Sequence, residues 1–146
     1  AELMHGDSVE ALVWHPSHPQ LLATASMDRT VRVWDTRTNK TAHTAETEGK
    51  PINIAWSPDG SCIAAGSEDD VVSFVDPKTG KITQTKDCRG MEVNQMAWHP
   101  AGDLFFMTTG SGTIVVLETP TLKEALPPIP GHMGNCLSIT LDPTNK

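Results

Sequence analysis

Large apolar residues recur two apart along this chain, each pair enclosing a residue that is smaller or more polar. Leu12 and Trp14 flank Val13, Ile54 and Trp56 flank Ala55, Met96 and Trp98 flank Ala97, and Ile139 and Leu141 flank Thr140. Alternation with a period of two puts each large pair on one face of a β-strand. A turn rich in Pro, Gly, Ser and Asp follows at 15–20, 57–60 and 99–102, and then a second apolar stretch at 21–26, 62–66 and 104–109. Third stretches at 30–34, 71–75 and 113–117 are rich in β-branched residues, which suit a pleated, half-buried surface. No window sustains an apolar pattern of helical period. The pattern predicts an all-β chain of short strands.

The strands fall into a repeat. Trp14, Trp56 and Trp98 lie 42 residues apart, and each is followed after one residue by a proline: Pro16, Pro58 and Pro100. Downstream, Trp34-Asp35, Val75-Asp76 and Leu117-Glu118 each pair an apolar residue with an acid, and Thr38, Thr79 and Thr121 each precede a lysine by two positions. Four-stranded propeller blades have a period of about 40–45 residues. The reading is one domain, 1–146, with units near 5–46, 47–88 and 89–130 and a partial fourth at 131–146. The first strand of each unit belongs near the hub, where neighbouring blades pack on both of its faces.

Unit one resembles the WD-repeat family. His5 stands where that family has the histidine of a Gly-His pair (Met4 replaces the glycine), Asp28 where it has the acid of a tight turn, and Trp34-Asp35 where it has its name-giving dipeptide. The resemblance implies a partial β-propeller with a buried hydrogen-bond chain through His5, Thr24, Asp28 and Trp34. Ser26 is a second candidate for the hydroxyl. Such a carboxylate and imidazole are costly to bury unless each is paired. Unit two keeps Asp69 but has Val75 in place of Trp, and unit three keeps neither, so both are expected to rely on apolar packing alone. All four tryptophans read as core. Family rings mostly have seven blades, so 146 residues cover about half of one. The chain reads as a fragment of a longer protein, with an apolar blade face open at each end.

A narrower resemblance runs through the degenerate units. Ile52-Asn53-Ile54-Ala55-Trp56-Ser57-Pro58-Asp59-Gly60, Asp70-Val71-Val72-Ser73-Phe74, Glu92-Val93-Asn94 and Asn135-Cys136 resemble the WD-repeat subunits of the nuclear THO/TREX assembly, which couples transcription to messenger RNP packaging and export. It implies a non-enzymatic scaffold in the nucleus whose partners are other THO/TREX subunits, with RNA reached only indirectly. Candidate partner-contact positions are the turn residues Ser8, Met27, Arg37, Glu68, Arg89 and Glu92. A second reading is a peptide-reading adaptor, such as a histone-tail or ubiquitin-ligase substrate receptor. That role calls for an acidic or aromatic pocket, and the sequence shows no cluster of exposed aromatics.

Charge and candidate chemistry narrow the choice. A formal charge of −7, with eleven dispersed Lys and Arg residues, supplies no basic stripe for phosphate. Cys62, Cys88 and Cys136 lie far apart with no Cys-x-x-Cys spacing, which argues for reduced thiols. His15, His18 and His99 occupy turns without nearby thiols, and Glu68-Asp69-Asp70 reads as a solvated turn with one structural Asp. We assign no metal, cofactor or small-molecule substrate. Gly110-Ser111-Gly112 lacks the strand-to-helix context of a nucleophile elbow or P-loop and reads as a hairpin turn. His5, Asp28 and a hydroxyl resemble a catalytic triad, but the repeat register buries them as a strut. No apolar run is long enough to span a bilayer.

Overall fold

The computed structural model describes residues 3–142. Its strands are β1 (Val9–Trp14), β2 (Leu21–Ser26), β3 (Thr30–Asp35), β4 (Lys40–Glu46), β5 (Pro51–Trp56), β6 (Ile63–Ser67), β7 (Val71–Asp76), β8 (Lys81–Asp87), β9 (Val93–Trp98), β10 (Leu104–Thr109), β11 (Thr113–Glu118) and β12 (Ile129–Pro130). They form three antiparallel four-stranded sheets in sequence order, β1–β4, β5–β8 and β9–β12. The chain is a partial β-propeller. Strands β1, β5 and β9 lie side by side at the hub.

Period-two alternation sorts each blade's side chains between its two neighbours. In blade two, Trp56, Ile63, Ala65 and Val75 pack on Ala23, Val31 and Val33 of blade one. The intervening Ala55, Ala64, Val72 and Phe74 join Met96, Phe105, Met107 and Leu117 of blade three. Burial of each large side chain contributes about 1.5–3 kcal/mol, so the blade interfaces form the core. The tryptophan of a first strand therefore faces the preceding blade. Trp14 has no preceding blade among the described residues, and it is 51% exposed, with Leu12 at 59%. The expectation that all four tryptophans are core fails here for that geometric reason, while Trp34 and Trp56 are buried.

The repeat also shows in the backbone. Arg29, Asp70 and Gly112 hold positive φ in the turn between second and third strands, and Asn39, Gly80 and Leu122 hold it after the third. In each blade the carbonyl of the first set accepts an N–H from the connector to the next blade, from Thr47, Cys88 and Gly131 respectively. Glycine is required at 112, because a Cβ there would meet the Gly134 carbonyl oxygen at 2.2 Å. Segment 131–142 forms no strand, so the strand expected around Ile139 and Leu141 is absent. Strand pairing needs a second strand, and none is available to this segment among the described residues. It instead follows the hub edge of β9, where the Ile139 amide donates to Gln95 Oε1 at 2.8 Å.

Candidate functional site

Each blade closes its tight turn with a buried hydroxyl at the end of its second strand. The Asp28 amide donates to Ser26 Oγ, the Val71 amide to Ser67 Oγ and the Thr113 amide to Thr109 Oγ1. Blade one adds a side-chain chain on top of this. Trp34 Nε1 donates to Thr24 Oγ1 at 2.8 Å, Thr24 lies 2.6 Å from His5 Nε2, and His5 Nδ1 lies 2.9 Å from Asp28 Oδ2. With the Nδ1 hydrogen on Asp28, Nε2 is left to accept from the Thr24 hydroxyl, so every group in the series is paired. Ser26 lies outside the chain and donates to the Asp7 carbonyl. Burial alone would push the Asp28 carboxyl up, but the Thr30 hydroxyl, the Gly6 amide and His5 together hold it well below the usual range. The His5 side chain is 1% exposed and Thr24 is buried, so no substrate can reach this trio as it would a triad serine.

Arg32 completes the network, a role the sequence reading missed. Its guanidinium donates to the Met4 carbonyl at 2.9 Å and to Thr30 Oγ1, approaches Asp28 at 3.4 Å, and lies 5.9 Å from the Trp34 ring. These contacts bind the N-terminal strap to β3.

Blades two and three do not rely on apolar packing alone. Asp70 accepts N–H bonds from Val93, Glu92 and Gly90 at 2.9, 3.2 and 3.3 Å, tying the turn of blade two to the connector that begins blade three. Asp69 accepts from Ser67 Oγ. At the hub, Asn53 Nδ2 donates to the Asn94 carbonyl, and Asn94 Nδ2 donates to Asn135 Oδ1 and the Cys136 carbonyl. Short polar side chains reach across because hub strands lie close together. The loss of the blade-one signature residues was legible, but the substitutes were not.

The six candidate contact residues divide between the two ends of the arc. Ser8, Met27, Glu68, Arg89 and Glu92 lie in turns that follow second and fourth strands or in the strap beside them, as the Met27 bond to the Ser8 carbonyl and the Gly110 bond to the Glu92 carbonyl show. This end is acid-rich, with Asp7, Glu10, Glu48 and Asp69 beside Glu68 and Glu92. Arg37 lies at the opposite end, held by two side-chain hydrogen bonds to Asp35. The Arg37 guanidinium and amide hold the Asp35 carboxyl at about 2. Arg89 makes the matching pair with Asp87.

At the Arg37 end, blades two and three part to leave a groove of about 590 Å³. Phe74 and Trp98 meet edge to face on its floor, with ring centroids 6.2 Å apart, and Trp98 is partly exposed. Burial pushes the Cys62 thiol beside them up to about 11. The expectation that Trp98 is core fails at this aromatic surface, whose walls come from residues 57–62, 83–84 and 98–122. A smaller cleft holds His15 and His18, whose ring centroids lie 4.5 Å apart at a tilt of 46°, and His15 Nδ1 accepts the Ser17 and His18 amides. Among the described residues no three His, Cys, Asp or Glu side chains are grouped to hold a metal ion, and the three cysteines are free thiols. Gly110-Ser111-Gly112 forms the turn between β10 and β11. No helix among the described residues is long and apolar enough to cross a membrane.

Comparison with known proteins follows the same lines. The family model "WD domain, G-beta repeat" matches residues 3–35 and 39–76, the first two units. THO complex subunit 3 of Arabidopsis thaliana is 42% identical over 97% of this chain, which spans 44% of that protein. WD repeat-containing protein AAC3 of Dictyostelium discoideum is 32% identical over 97% of the chain and 30% of its own length. The chain thus spans less than half of either relative. The crystal structure of the RRP9 WD40 repeats superposes with a TM-score of 0.80 over 90% of this chain and 41% of that one, at 16% identity, a likeness of fold. The propeller blades, the tight-turn network and these matches together make the chain a member of the WD-repeat family.

Proposed function

We propose that this chain is part of a non-enzymatic scaffold subunit of a THO/TREX-type complex, acting in the nucleus to support messenger RNP assembly and export through protein contacts. The observation that carries the reading is the 42% identity to THO complex subunit 3 over 97% of the chain, degenerate units included. Blades whose polar groups are spent on holding turns and neighbours suit a rigid platform, with loops at both ends free to engage partners. The net charge of −7 favours contact with RNA through other subunits rather than directly.

Affinity purification of the full-length protein from nuclear extract, with and without nuclease, tests this. Nuclease-resistant recovery of THO subunits is the expected result. Recovery of the protein alone, or recovery of THO subunits only while RNA is intact, would sink it.

A further inference from the structure

The groove between blades two and three has a feature that simple blade packing does not need. Asp59 is the sole charged residue among the described residues lining it, and it stands exposed at the rim. Its carboxylate accepts from Ser57 Oγ at 2.6 Å, the Ser61 amide at 3.0 Å and Ser61 Oγ at 2.7 Å, bonds that hold it at about 2 and keep it ionised. Among the described residues it forms no ion pair, although the His15 ring is near enough to feel its charge and His18 and Lys78 line the smaller cleft that it also borders. The floor below is uncharged: Phe74, Trp98, Leu122, Cys62 and Pro100. A fixed anion beside an apolar trough of about 590 Å³ selects a ligand with matching halves.

We propose that this groove binds an extended segment of a partner protein that places a bulky apolar side chain on Trp98 and Leu122 and an adjacent lysine or arginine on Asp59. Aromatic faces accept the apolar side chain and attract the neighbouring cation. Thr83 and Gln84 of β8, the outer strand of its sheet, line one side of the groove, which suits an extended chain lying along that edge. Both walls lie within residues 57–122, so the site does not depend on which complex the protein serves.

The test is fluorescence anisotropy with the full-length protein and three labelled hexapeptides: one with adjacent Phe and Lys, one with adjacent Phe and Glu, and one with Ser in both places. The Phe-Lys peptide is expected to bind at micromolar concentration and at least tenfold more tightly than the other two. Ala101→Trp, at an exposed turn position on the rim, should fill the groove and weaken that binding at least tenfold. Asp59→Asn keeps the turn's acceptor oxygen and should weaken it about three- to tenfold while reducing its salt dependence. An unchanged melting curve for each variant shows that the fold is intact. Equal affinity for the Phe-Glu peptide, binding indifferent to Ala101→Trp, or no binding by any peptide overturns the proposal.

Discussion

Blades one and two share strand order, turn hydroxyls and the backbone bond from turn to connector, yet they spend their polar side chains differently. Blade one builds an internal strut, in which His5, Thr24, Asp28 and Trp34 bind its own strands and strap together. Blade two has lost that strut and reaches outward, through Asp70 to the amides of Gly90, Glu92 and Val93 and through Asn53 to the backbone of β9. The conserved geometry between the two lies in the backbone. What holds it can be local to one blade or shared with the next, and the shared version is less complete: the Asn53 amide nitrogen finds the β9 backbone while its buried Oδ1 has no hydrogen-bond partner among the described residues.

The largest expected contrast sets one tryptophan position against its repeat. Trp56→Ala should cost about 3–5 kcal/mol in urea denaturation of this chain, because the ring fills the interface of blades one and two. Trp14→Ala should cost about 1 kcal/mol, since half of that ring is already in water. Equal losses would show that the two faces are covered alike.

Next comes the strut. Thr24→Val should cost about 1–3 kcal/mol by leaving the Trp34 N–H and His5 without their shared partner. The carboxyl of Asp28 is depressed in the folded chain, so its contribution is complete above the unfolded value of about 4 and is lost as pH falls toward the folded one. Asp28→Asn should therefore flatten that acid limb in pH-dependent melting. A limb unchanged by the substitution would assign it to other carboxylates.

Asp70→Ala should cost about 1–2 kcal/mol, with hydrogen-exchange protection lost at the Gly90, Glu92 and Val93 amides while blade one keeps its own. Uniform loss across both blades would contradict the division drawn between them. The smallest effect is expected at Arg37→Ala and Arg89→Ala, whose side chains are 69% and 71% exposed, so that their removal should leave the melting temperature nearly unchanged.

The repeat was legible because large apolar pairs, turn residues and the spacing of Trp14, Trp56 and Trp98 are all local signals. The strut was legible in blade one through a motif whose four residue types are fixed by its hydrogen bonds. Asp70 and the Asn53 to Asn94 contact were not, because the partners are backbone amides and carbonyls about 20 and 40 residues away, which carry no sequence identity. The groove was hidden for a related reason. Trp98 occupies the same repeat position as the buried Trp56, yet it borders the groove and stays partly open, a difference of tertiary placement that the repeat pattern does not carry.

One asymmetry of the hub bears on how the protein is made. Trp56 and Trp98 look back to a blade already complete, whereas the Asn53 and Asn94 amides reach forward to chain about 40 residues later. During synthesis from the N-terminus, an emerging blade therefore docks on a finished surface at once, and its polar latch is thrown only when the following blade leaves the ribosome. The arc grows in one direction, like a zip whose teeth mesh behind the slider.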